Sequence, residues 1–424
     1  MTSKRRRSTL RRLAFITAGV FASAAVVPNP ALEADFAGRP GSQHCVPVAG
    51  AAAPTASPAA PAAGPPSPSV CPAYGADASS GTAARPPAFG AYLNYGPSGV
   101  KRMNELSKWL DGSEVRVGHT YLPGDLWSNI EGAPGFLDSW ADWRRAKDDR
   151  LFVLNVPMME RNEGRVPDTE VRRLLRRAAA GAFDQHFRAL ARHLVDLGVP
   201  DTILVLGWEM NGITYTHRCG PDPADWKTYW RRIVTVMRSV PGQKFTFDFA
   251  PSRGVDAVPW TECYPGDDVV DIMGMDSYDQ PAGISFDKQV SEPYGLQAQV
   301  TFAKAHGKPI SYPEWGLFRN GDNASYMLRM LAWMDEHKPL YNTITDYCPH
   351  GVWQCSANPR ASAIYRAVLA GQHPPVATPA PSVPTPSTPT VPLEPHPTPN
   401  STPTATATPP QAPHCPCRPT QSLD

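Results

Sequence analysis

Between residues 88 and 372 the sequence alternates short apolar runs with stretches of helical spacing, eight times over. The spacing predicts strands over Phe89–Asn94, Glu114–Gly118, Leu151–Pro157, Thr202–Trp208, Lys244–Ala250, Val269–Met275, Pro309–Pro313 and Tyr341–Asp346. Between them, Phe183, Phe187, Leu190, Leu194 and Leu197 recur at steps of four and three, which makes one apolar face of a helix. Trp226, Tyr229, Trp230, Ile233 and Met237 repeat the pattern, as do Tyr326, Met330, Trp333 and Met334. Eight strand–helix units predict an α/β fold, a (β/α)8 barrel. The competing open, doubly wound sheet expects a glycine-rich phosphate loop after its first strand, and none follows here. A barrel gathers its functional groups at the C-terminal ends of its strands.

Proline sets the borders of this region. The chain has 49 prolines, and the segment 373–424 is rich in them, interleaved with threonine. Residues 35–87 are dominated by Ala, Pro, Gly and Ser. Neither flank has the apolar periodicity that a packed core requires. The expected organisation is a signal peptide or N-terminal anchor over 1–34, a linker over 35–87, a catalytic barrel over 88–372 and a Pro/Thr-rich disordered tail over 373–424. The first segment carries a basic stretch, Lys4–Arg7 with Arg11 and Arg12, before the apolar Leu13–Val27. That core has the length of an export signal and falls short of the ~20 residues of a spanning helix. Export implies an oxidising compartment, and the 8 cysteines then read as disulfide partners rather than zinc ligands. Cys348 pairs with Cys355 across a short loop, and Cys219 with Cys263 across the loops after strands four and five. Cys45 and Cys71 bracket part of the linker, and Cys415 and Cys417 are left over in the tail. A formal net charge of +1 gives no argument for a nucleic-acid partner.

Two strand ends stand out chemically. In Asp201–Gly212, DTILVLGWEMNG, an unbroken apolar run leads into Glu209, with Trp208 before it and Asn211 and Gly212 after it. In Lys308–Phe318, KPISYPEWGLF, a second run leads into Glu314, followed by Trp315 and Gly316. A carboxylate at the mouth of a buried strand is costly unless paired or used. Strands four and seven face each other across an eight-stranded barrel, so the two side chains converge over its axis. Two facing carboxyl groups are the requirement of glycoside hydrolysis. The segment lacks a Gly-x-Ser-x-Gly elbow, which sets amidase and esterase chemistry aside.

The segments GWEMNG and YPEWG, with VDIMGMDSYD at Val270–Asp279, resemble glycoside hydrolase family 26, the β-mannanases and related β-glycanases. The resemblance implies a retaining mechanism with Glu209 as acid/base and Glu314 as nucleophile, and Tyr278 as a hydrogen-bond donor to Glu314. It implies a polysaccharide or oligosaccharide substrate, β-mannan first. Apart from the resemblance, the export signal predicts a secreted or envelope-associated protein, the flanks are candidates for attachment, and a monomer without cofactor or metal is expected. Trp208 stands where the family has histidine, and Ile213-Thr214-Tyr215 where a tryptophan-rich stretch is usual.

Further candidates for sugar contact are Trp208 and Trp315 beside the glutamates, Asn211, Trp353 in the strand-eight connection and His119 after strand two. Asn211 also reads as a turn residue with Gly212. His119 reads equally as a structural histidine, and Trp353 as a core tryptophan. Asp248 and Asp276 fall within strands, as members of a buried network rather than catalysts, and Glu160 is the rival carboxylate. The competing function is a carbohydrate-binding or surface-attached barrel without turnover.

Overall fold

The computed structural model describes residues 87–372. The expected leader and tail, nearly all of the linker, and Cys45, Cys71, Cys415 and Cys417 lie outside the described residues. Nine parallel strands form one curled sheet: β1 (Ala88–Tyr92), β2 (Val117–Tyr121), β3 (Leu151–Val156), β4 (Ile203–Leu206), β5 (Thr246–Phe249), β6 (Ile272–Met273), β7 (Ser277–Tyr278), β8 (Tyr312–Gly316) and β9 (Tyr341–Thr345). Their order is β6-β5-β4-β3-β2-β1-β9-β8-β7. β6 and β7 are two pieces of the sixth barrel strand, one paired to β5 and the other to β8. Bridges Met273–Ile310 and Ser252–Asp276 join the two edges across the break. The sheet therefore closes as the (β/α)8 barrel that the alternation predicts.

Two apolar layers explain why the strands read as unbroken apolar runs. In β4, Leu204 and Leu206 point outward into the large core beneath the helices, while Ile203 and Val205 point into the barrel. The barrel interior is filled by Val117, Val153, Ile203, Val205, Ala250 and Ile272, with Trp208 closing it from above. The outer layer takes the helical faces. Phe187, Leu190 and Leu194 bury from the helix Asp184–Asp196, and Trp226, Tyr229, Trp230, Ile233 and Met237 from Pro223–Arg238. Asp222 caps the latter, its carboxylate accepting from the Asp225 N–H at 3.1 Å. Tyr326, Met330, Trp333 and Met334 bury from Ala324–His337.

Three strands depart from the expected boundaries, each where inward polar residues break the apolar run. β2 lies three residues later than expected, so His119 sits inside the strand rather than after it. β8 begins at Tyr312 and contains Glu314 rather than ending before it. Its register slips between Tyr312 and Trp315. This bulge lets Tyr312 and Trp315 both face the helices while Glu314 turns inward. The sixth strand, expected as one run, is interrupted at Gly274–Asp276.

Candidate active site

β9 reads Tyr-Asn-Thr-Ile-Thr, and its period of two places Tyr341, Thr343 and Thr345 on the barrel's inner face. Each hydroxyl meets a group from another strand. Tyr341 donates to Asp248 at 2.6 Å, Thr343 lies 3.0 Å from His119 Nδ1, and Thr345 lies 2.7 Å from the Tyr278 hydroxyl. The two upper contacts converge on Glu314. Tyr278 donates to Glu314 Oε2 at 2.8 Å, so its oxygen accepts from Thr345. Asn155 of β3 donates through Nδ2 to Glu314 Oε1 at 3.1 Å. The Tyr121 hydroxyl is a further hydrogen-bonding group on the same carboxylate.

Glu314 is 7% exposed. Burial pushes its carboxyl above the ordinary carboxylate range, and the hydrogen bonds from Tyr121, Tyr278 and Asn155 pull in the opposite direction. Asp276, in the break of the sixth strand, is held well above the usual range by burial and then by the charges of Glu314 and Glu209.

Glu209 is held differently. β4 ends at Leu206, and the chain turns through Gly207 at φ 51° and Glu209 at φ 50°. A side chain at Gly207 would also collide with Met158, whose sulfur would be 2.4 Å from the added carbon. Glu209 itself adopts this left-handed conformation with a long side chain, a costly backbone state typical of functional turns. Its N–H donates to Ala250 O at 2.9 Å, and its carbonyl accepts from Gly212 at 3.0 Å. The side chain is half-buried and shares its neighbourhood with Glu314: the two charges act together on Tyr215, Tyr278, Tyr347 and Asp276. The expected pair therefore comes together at the open end of the barrel.

The other expected contacts divide. Trp208 is buried beneath the site, edge-on to Tyr121 at 5.4 Å and to Tyr215 at 5.1 Å. His217 donates from Nε2 to the Trp208 carbonyl at 2.9 Å and supports the turn from below. Asn211 is not placed to read a sugar hydroxyl. Its amide is committed to Ser252, donating to the carbonyl at 3.1 Å and accepting from the N–H at 2.9 Å, which ties the β4 loop to the β5 loop. Trp315 does not line the site either. It is wholly buried on the outer side of β8, where its indole N–H donates to Asn342 at 3.2 Å. His119 is fully buried inside the barrel rather than at its rim. Trp353 is half-buried in the loop after β9. That loop is closed by the Cys348–Cys355 disulfide and organised by Asp346, which accepts from the N–H groups of Val352, Trp353 and Gln354. A second disulfide, Cys219–Cys263, joins the loops after β4 and β5.

Asp248 is a network member, accepting from Ser311 and Tyr341 at 2.6 Å each. Glu160 is half-buried in the loop after β3, and it is Glu163 of that loop whose charge acts on Tyr95, Tyr215 and Tyr347 at the mouth. Asn155, Tyr121, Thr343 and Thr345 were not among the sequence candidates; their signal is polar residues at period two inside otherwise apolar strands. Among the described residues no group of three or more His, Cys, Asp or Glu side chains is arranged to hold a metal ion. No helix among them is long and apolar enough to cross a membrane.

A closed barrel with two glutamates at its open end has the arrangement that glycoside hydrolysis requires. Residues 189–346 match the model of Glycosyl hydrolase family 26, a span that includes Glu209, Tyr278 and Glu314. On this match the stretch that carries both glutamates is similar to the glycoside hydrolases of that family. The fold is similar to that of a Cellulomonas fimi endo-β-1,4-mannanase double mutant, with 17% identity, a TM-score of 0.50, and coverage of 67% of this chain and 70% of that one. It is likewise similar to a modular endo-β-1,4-mannanase from Cellulomonas fimi, with 19% identity, a TM-score of 0.50, and coverage of 65% and 69%. No curated protein matches the chain.

Proposed function

We propose that the protein is a secreted, retaining β-glycanase that cleaves β-1,4-mannan, with Glu314 as nucleophile and Glu209 as acid/base. The observation that carries this is the unlike treatment of two neighbouring glutamates. Glu314 is buried, with a donor on each oxygen, the setting of a carboxylate held ionised and aimed. Glu209 stands half-exposed on a strained turn, where a proton can be exchanged with solvent. In the first step Glu314 attacks the anomeric carbon while Glu209 protonates the departing oxygen. In the second, Glu209 takes a proton from water, and that water displaces the Glu314 ester. The similarity of the fold to those of two endo-β-1,4-mannanases favours mannan as the polymer. The basic, apolar N-terminal segment supports secretion.

Proton NMR of the first product released from a β-1,4-manno-oligosaccharide tests the reading, with the β-anomer expected. The α-anomer first would make the enzyme inverting. Cleavage of β-glucan or xylan but not mannan would move the substrate while leaving the mechanism.

A further inference from the structure

His119 is a fully buried imidazole that the two-step chemistry does not use. It lies between Thr343 and Asn155, with Nδ1 3.0 Å from Thr343 Oγ1 and Nε2 2.9 Å from Asn155 Oδ1. Asn155 in turn donates from Nδ2 to Glu314 Oε1 at 3.1 Å. Four strands, β9, β2, β3 and β8, thus supply one continuous chain of hydrogen bonds that ends on Glu314.

The chain has a direction. An ionised Glu314 only accepts, so the Asn155 amide must present its NH2 to it, and its carbonyl oxygen then faces His119. That oxygen also only accepts, so the hydrogen of the imidazole belongs on Nε2. Burial lowers the His119 pKa to about 4, so the ring is neutral near pH 7 and Nδ1 carries a lone pair. The Thr343 hydroxyl donates to the Pro313 carbonyl and shares that hydrogen with Nδ1, 3.0 Å away. If the imidazole carried its hydrogen on Nδ1, the bare Nε2 would draw the amide NH2 toward itself. The amide oxygen would then face the Glu314 carboxylate. The position of one buried proton decides whether Glu314 Oε1 meets a donor or a lone pair.

We infer that His119 is a positioning residue: with Thr343 it locks the Asn155 amide so that its N–H holds Glu314 ionised and aimed. The inference rests on the reading of Glu314 as nucleophile. It differs from the action of Tyr278, which serves the other oxygen through Thr345. The ionisable groups that also face Glu314 are Tyr121 and Tyr278, the carboxyl of Asp276, and the hydroxyls of Tyr92, Tyr95 and Tyr347. Glu209 shares the same neighbourhood. All of these remain in place in the variants below.

The test reads kcat/KM against pH with 2,4-dinitrophenyl β-mannobioside. Its leaving group needs no proton, so the acid limb reports the nucleophile rather than the acid/base. His119→Leu keeps the volume and removes both nitrogens; kcat/KM should fall about 10–100-fold, the loss of one hydrogen bond to a charged group. Its acid limb should move up by about one pH unit. His119→Gln places an amide donor near the Nε2 position and should restore most of both, whereas His119→Asn reaches only the Nδ1 position and should not. If His119→Leu fails to fold, the Gln and Asn variants carry the comparison. An unshifted acid limb, or equal loss in Gln and Asn, overturns the positioning role. Nitrogen-15 NMR of labelled histidine gives an arm independent of substrate: the Nε2–H tautomer is expected at pH 7, and the Nδ1–H tautomer overturns the inference. Glu314→Gly with azide separates the two readings. A glycosyl azide upholds Glu314 whatever His119 does, and undiminished turnover without azide removes the nucleophile and the inference with it.

Discussion

Two inward carboxyl groups of the same barrel invite comparison. Glu314 of β8 lies level with Thr343 and Thr345, and Asp248 of β5 lies one layer lower, level with Tyr341. Both are buried, and both accept hydrogen bonds from side chains elsewhere in the barrel wall. Their chemistry diverges through placement. The donors on Asp248 are hydroxyls that meet on one oxygen, and burial pushes its carboxyl up to about 7. The donors on Glu314 divide between its two oxygens and sit at the open end, beside Glu209. A buried, hydrogen-bonded carboxyl group is thus no sign of catalysis by itself. What distinguishes the reacting one is its height along the barrel axis and the way its donors are shared.

The largest effect that would break this comparison is on turnover. Glu314→Ala should lose several orders of magnitude in kcat on mannan while keeping its melting transition. Asp248→Asn should leave kcat close to that of the unaltered protein. Reducing-sugar release from mannan measures both, and comparable losses would show that the lower layer takes part in the reaction. A smaller effect separates the donors. Tyr278→Phe removes the hydroxyl from Glu314 Oε2 and should lower kcat/KM about 10–100-fold. Tyr341→Phe removes the equivalent hydroxyl from Asp248 and should act on stability alone, by about 1–3 kcal/mol in a denaturant titration. A loss of turnover in Tyr341→Phe without loss of stability would join the two layers.

The same distinction governs what the sequence discloses. The barrel, its strand count and the two glutamates are legible because apolar runs and strand ends are local properties. Trp208 and Trp315 look alike beside their glutamates in sequence, yet one closes the barrel interior and the other faces the helices. The bulge in β8 decides that, and a bulge depends on pairing with β9. Asn211 reads as a polar loop residue because nothing local reveals that Ser252, forty-one residues on, satisfies its amide. Asn155, Tyr121, Thr343 and Thr345 escape notice for the opposite reason. Each is an ordinary polar residue within its own strand, and only closure of the barrel brings them to one carboxylate.

The smallest expected effect concerns pH and stability, and it tests the lower carboxyl directly. In the unfolded chain an aspartate titrates near ~3.9. In the folded protein burial raises Asp248 to about 7. Between those values the folded state binds the proton more tightly, so this group's contribution to stability falls as pH rises from about 4 to about 7 and is flat outside that window. The shift sets a ceiling of about 4 kcal/mol, which hydration of the opened site reduces. Asp248→Asn has no such titration. Subtracting its unfolding free energy from that of the unaltered protein at each pH cancels the contributions of Glu314 and Asp346, and leaves of Asp276 only its coupling to the Asp248 charge. The difference should decline across that window. A difference that rises instead would mean that Asp248 is ionised in the folded barrel. The hydroxyls of Ser311 and Tyr341 would then outweigh burial, and the two layers would hold their carboxylates in the same way.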